Sequence, residues 1–289
     1  MAQLILLALQ TSIFALVFAL GLSVGMKEAT WALRHPRDLA RVVLAMFVIM
    51  PLVAAAMAAL LDLNPAVKLA LVALALSPLP PLLPNKGIKA GGEISHAVGL
   101  LVAAALLAVV VTPVGFAILA ERFGLDVAVP TGRIVRVVTF SVLLPLVAGI
   151  IIHQVTPGLA SRLAGPIGKV ASLFLVLSFV PILLTTAPAI WSLIGGGTVA
   201  AFAAFIVVGL AVGHYLTGGR EEDRTILALS TATRHPGVAI ALSGAVAAAT
   251  ARPEARLAAP AILLYLVLGA VISAVYLRIR RKSTPRGAP

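Results

Sequence analysis

Nine predominantly apolar stretches run along the chain, at about 3–26, 38–62, 66–84, 95–120, 134–154, 166–191, 197–216, 224–248 and 258–279, with short polar joints between them. Each comes close to or exceeds the roughly 20 residues that a helix needs to cross the hydrocarbon core of a bilayer. The stretches are rich in Leu, Ala and Val and lack the period-two alternation of a barrel strand, so they predict helices. The expected fold class is an all-α polytopic membrane protein of about nine transmembrane helices. The first stretch has no basic residue before it and no small-residue cleavage site, so it reads as a span, not a signal peptide.

Composition agrees with this pattern: 61% of the 289 residues are apolar, 11% are charged and mean hydropathy is +1.11. A soluble domain of this size cannot hide so much apolar surface. The chain has no cysteine, which excludes disulfides and thiolate chemistry.

The net charge of +12 comes from cations placed mainly in the joints. With the N-terminus outside, the inside segments hold fifteen: Lys27, Arg34, Arg37, Arg41, Lys86, Lys89, Arg162, Lys169, Arg220, Arg224, Arg278, Arg280, Arg281, Lys282 and Arg286. The outside segments hold six: Lys68, Arg122, Arg133, Arg136, Arg252 and Arg256. The positive-inside rule therefore gives N-out, C-in. The basic tail reads as a flank against anionic headgroups, and nucleic acid is not an expected partner.

Two stretches are interrupted. The third contains Ser77-Pro78-Leu79-Pro80-Pro81-Leu82-Leu83-Pro84-Asn85, whose prolines cannot continue a regular helix. The eighth contains Ser230-Thr231-Ala232-Thr233-Arg234-His235-Pro236-Gly237, a cation, an imidazole, a proline and a glycine in apolar surroundings. Irregular backbone at membrane depth is tolerated only against protein or a water-filled cavity. A pair of such breaks in the two halves of a chain points to a transporter binding site. The breaks lie five stretches apart, and an odd offset gives them opposite membrane orientations, as an inverted repeat requires.

Several runs resemble the bile acid:sodium symporter superfamily. They are Ala19-Leu20-Gly21-Leu22-Ser23 with Lys27, Arg34-His35-Pro36, Ala45-Met46-Phe47-Val48-Ile49-Met50-Pro51, Val111-Thr112-Pro113, Gly149-Ile150-Ile151-Ile152-His153 and Thr233-Arg234-His235-Pro236-Gly237-Val238-Ala239. The resemblance implies one transmembrane domain over 1–289, with a first repeat over 1–125, a second over 134–281 and a flexible basic tail over 282–289. It also implies panel and core domains, and two broken helices crossing at the substrate and ion sites. The implied localisation is a bacterial inner membrane.

The chain departs from that family where the resemblance would place sodium ligands. Met46, Leu83, Pro84, Ser230 and Arg234 fall at those positions, although a one-residue slip restores Asn85. Sodium is a hard cation that seeks oxygen, and Met, Leu and Pro side chains offer none. Arg234 adds a permanent charge, and like charges near contact repel by about 4 kcal/mol at an intermediate dielectric. The expectation is that Arg234 replaces a bound sodium.

A guanidinium beside a helix break also suits an anion, so a small organic anion is the expected substrate. Asn85, Thr231, Thr233, Arg234, His235 and Thr112 are the candidate substrate-binding residues. Against this stand blander readings: Arg234 snorkelling to an interface, His235 bonded to a carbonyl freed by Pro236, and Thr231 and Thr233 bonded within their own helix. Lys86, Lys89 and Glu93 read as a solvated loop. His35 and His96 receive no role, and His153 and His214 read as residues that end or satisfy helices. No metal motif, paired carboxylate or Ser-His-Asp constellation occurs, so no metal, cofactor or enzymatic activity is expected. A sodium-coupled symporter and a ligand-binding sensor of transporter ancestry remain as alternatives.

Overall fold

The structure, a computed structural model, describes residues 2–80, 94–122, 130–216, 221–250 and 256–283. The helices are α1 (Ala2–Leu22), α2 (Met26–Ala29), α3 (Trp31–Arg34), α4 (Pro36–Val43), α5 (Met50–Leu60), α6 (Pro65–Leu76) and α7 (Ile94–Arg122). They continue as α8 (Thr131–Val138), α9 (Leu144–Val155), α10 (Pro157–Trp191), α11 (Thr198–Leu216), α12 (Glu221–Ala232), α13 (Pro236–Thr250) and α14 (Ala258–Ser283). No strand occurs among the described residues. The protein is an all-α polytopic membrane protein.

Among the described residues, seven helices are long and apolar enough to cross a membrane: Gln3–Leu22, Pro36–Leu60, Ile94–Glu121, Thr131–Val155, Pro157–Trp191, Thr198–Leu216 and Ala258–Arg280. The two remaining stretches of the sequence pattern are the interrupted ones. Pro65–Leu76 has 12 residues, and the other is split into Glu221–Ala232 and Pro236–Thr250. Among the described residues, seven of the nine stretches are thus full-length helices, and the other two hold the breaks.

Helix starts follow ordinary capping chemistry. Proline opens α4, α6 and α10, where its missing N–H costs nothing. The Asn64 side chain accepts from the Ala66 N–H at 2.9 Å to cap α6. Two long helices contain a π-helical turn, Leu44–Ile49 between α4 and α5, and Thr139–Leu143 between α8 and α9. Each is followed within two residues by a proline, Pro51 and Pro145.

The helices pack in two groups. In one, α1 lies against α9 and α10, and α9 against α10. The approach of α1 to α9 is set by Gly21 and Gly149: a Cβ on Gly149 would sit 2.5 Å from the Phe18 carbonyl, and one on Gly21 2.5 Å from that of Leu146. In the other group, α6 packs on α5, α13 and α14, and α11 on α12 and α14. Most of the buried apolar cluster lies here, including Leu71, Leu74, Phe202, Phe205 and Tyr265. Large apolar side chains on α10 such as Leu173, Leu184 and Trp191 are exposed, as lipid-facing residues are.

Candidate functional site

The site forms where the two interrupted stretches meet. After Leu76 the chain leaves the helix, with Ser77 extended. The Leu76 carbonyl, left without a helical partner, accepts from the Thr112 hydroxyl at 2.8 Å. The second break runs from Thr233 to His235, between α12 and α13. The two breaks are joined by main chain, since the His235 N–H donates to the Pro78 carbonyl at 2.8 Å.

Arg234 is only 1% exposed, and it heads the fully buried side chains in volume. It does not snorkel. Its Nη1 faces two main-chain oxygens, Ser77 O at 3.3 Å and Met46 O at 3.4 Å. These separations exceed the usual N–H···O range, so attraction between a full charge and two carbonyl dipoles holds the group. Among the described residues no carboxylate pairs with Arg234, and its Nε and Nη2 have no hydrogen-bond partner.

The Met46 oxygen is available because of the first π turn. Within that turn the Met50 N–H bonds back to Ala45 O, five residues away. The next residue in that register is Pro51, which has no N–H, so it cannot reach Met46 O. The guanidinium of Arg234 takes the place of that missing donor. π-Helical turns of this kind recur at functional sites.

His235 is held by the second π turn. The Ser141 hydroxyl donates to Val137 O at 2.6 Å, and the same oxygen lies 2.9 Å from His235 Nε2. Because the hydroxyl proton is committed to Val137, His235 donates from Nε2, and its Nδ1 has no partner among the described residues. Ser141 belongs to the group of α1, α9 and α10, and His235 to the other group. This side-chain hydrogen bond joins the two.

The other sequence candidates divide. Ser230, Thr231 and Thr233 are directed to their own helix, with hydroxyls donating to Ile226 O, Leu227 O and Leu229 O at 2.8, 2.8 and 2.6 Å. Thr112 holds the end of the first break. Asn85, Leu83, Pro84, Lys86, Lys89 and Glu93 lie outside the described residues. Tyr265, which sequence reasoning passed over, donates its hydroxyl to the Ala232 carbonyl at the end of α12. Away from the site, Trp31 stacks between His35 and His96, and His96 pairs with Asp223 at 2.7 Å. His153 donates to Leu22 O and His214 meets Tyr276, so both satisfy helix packing. No cluster of metal-ligating side chains occurs among the described residues.

The model of the sodium bile acid symporter family matches residues 11–193, well over half of the chain. The chain belongs to that family. The family is one of transporters, which agrees with a helix-rich membrane protein whose fully buried cation, Arg234, sits at a helix break. The match covers the first break and both π turns and ends before α11, so the second break lies beyond it. No curated protein matches the chain.

Proposed function

We propose that this symporter-family protein moves a small organic anion across the membrane by alternating access, and that it does so without sodium. The observation that carries this reading is the position of Arg234 Nη1 against Met46 O and Ser77 O. Main-chain carbonyls freed by a π turn and by a helix break are hard oxygen ligands of the kind that hold an alkali cation. Here a covalently attached cation occupies them.

The side chains at the positions of the family's sodium ligands support the same conclusion. Met46 offers only a thioether and is fully buried, and Ser230 spends its hydroxyl on its own helix. Leu83 and Pro84 carry no oxygen in their side chains. A buried guanidinium with no carboxylate against it among the described residues favours an anionic cargo. The crossing of the breaks through His235 and Pro78 fits two inverted repeats, 1–125 and 134–281, with the charge distribution setting N-out, C-in in a bacterial inner membrane.

Thermal unfolding of the purified protein in sodium against choline, at equal ionic strength, tests the reading together with the double variant Arg234→Gln, Ser230→Glu. A ligand at 100 times its dissociation constant stabilises the folded state by about 2.7 kcal/mol. We expect no sodium effect on the native protein and a clear one on the double variant. A sodium shift in the native protein would return the chain to sodium-coupled symport.

A further inference from the structure

Arg234 presents five N–H donors, and the structure uses one edge of the fork. Nη1, the nitrogen cis to Cδ, is committed to Met46 O and Ser77 O. The opposite edge, Nε–H with the inner hydrogen of Nη2, consists of two parallel donors. Both atoms are buried and unpartnered among the described residues. A buried donor left unpaired costs about 1–3 kcal/mol, and more when it belongs to a charged group. A chain that buries two of them side by side on one cation keeps them for something that completes them.

We infer that the Nε/Nη2 edge of Arg234 is the seat of a single carboxylate group of the transported molecule, bound bidentate, and that the site selects monocarboxylates over dicarboxylates. The inference rests on the transport reading above and names its cargo. Two parallel N–H donors match the two oxygens of one planar carboxylate, which is the geometry that distinguishes arginine from lysine. The helix that starts at Pro236, two residues on, is 15 residues long. Its first-turn amides and dipole add to the attraction for an anion.

Charge balance sets the number of anionic groups. Among the described residues Arg234 is the buried cation, and the buried polar side chains are otherwise hydroxyls and the imidazoles of His96 and His235. One carboxylate neutralises the site. A second would be buried without a partner, which is far more costly than the pairing returns. Met46, whose carbonyl faces Nη1, and Leu79, next to the Pro78 that meets His235, carry fully buried apolar side chains, so the chain segments around the site offer no second cation.

The test uses the full chain in detergent, in sodium-free buffer, with choline salts of butyrate, benzoate and cyclohexanecarboxylate. Succinate, phthalate and the neutral amide benzamide serve as comparisons. We expect monocarboxylates to raise the unfolding temperature and the comparison compounds to leave it unchanged. Arg234→Lys keeps a tethered charge but loses the fork, and should weaken monocarboxylate binding at least about tenfold, the equivalent of one charge-assisted hydrogen bond, while staying indifferent to sodium.

An infrared difference spectrum with a 13C-labelled carboxylate supplies a second readout on the native protein alone, so the result stands even if the lysine variant does not fold. A bidentate complex shifts the carboxylate stretching band from its free position. Equal binding by Arg234→Lys, equal stabilisation by dicarboxylates, no monocarboxylate effect or an unshifted band each overturn the inference. Sodium stabilisation of the native protein with a shifted carboxylate band would overturn the sodium-free reading and leave this one standing. Sodium indifference with full carboxylate binding by Arg234→Lys would do the reverse.

Discussion

The two π turns are built alike and used differently. Each follows an eight-residue helix carrying two arginines, Arg37 and Arg41 in α4, Arg133 and Arg136 in α8. Each bonds back over five residues, Met50 N–H to Ala45 O and Leu144 N–H to Thr139 O, and each is followed at once by a proline in the next turn. The first turn offers Arg234 a main-chain oxygen within one helix group. The second offers His235 a side-chain oxygen from across the boundary between groups. One backbone device therefore yields a fixed contact in one place and a contact that depends on a single hydroxyl in the other.

The largest effect should come from removing the platform of the second turn. Gly149→Val places atoms against the Phe18 carbonyl, where even a Cβ would lie at 2.5 Å. We expect a loss of about 3 kcal/mol in unfolding free energy, with the protein still indifferent to sodium because Arg234 is untouched. A loss below about 0.5 kcal/mol, the level of an ordinary surface change, would mean that the glycine crossing does not hold α9 in place.

A smaller effect follows from the hydroxyl itself. Ser141→Ala leaves His235 Nε2–H without its acceptor and should cost about 2 kcal/mol, whereas Ser141→Thr keeps the oxygen and should recover most of it. Equal unfolding curves for the alanine and threonine variants would show that the contact across the boundary contributes nothing.

The smallest effect is expected at the first turn. Pro51→Ala supplies an N–H that can compete with Arg234 for Met46 O, and the net change in stability should stay within about 1 kcal/mol. Amide exchange decides the matter: a protected N–H at position 51 shows that the carbonyl was available, and a fast-exchanging one shows that it was not.

Much of this was legible in the sequence. Apolar stretches at helical length gave the fold class, and the proline run and the Thr-Arg-His-Pro run marked the breaks before any contact was known. The burial of Arg234 follows from its place in an apolar stretch beside a proline. Met46 is the instructive miss. Sequence comparison weighs side chains, and by that measure Met46 is a failed ligand, yet its main-chain oxygen faces the guanidinium. The signal was present in the proline five residues later, but only a π register makes that spacing matter. Ser141 was invisible for another reason. A lone serine in an apolar helix ordinarily bonds its own preceding turn, as Ser141 does with Val137. Its second role depends on a histidine 94 residues away, and nothing local announces that approach.

The anchoring of Arg234 by main-chain oxygens has a consequence for how such a protein can vary. A carbonyl survives replacement of the side chain on the same residue, so no single exchange at Met46 or Ser77 deletes its partner. A lineage carrying this arginine could shed polar side chains around it one by one, in any order, with the cation still in place. Position 46 can thus exchange among buried apolar side chains of similar volume without losing its carbonyl, whereas at position 51 a residue with an amide hydrogen would compete for the opening that the arginine fills.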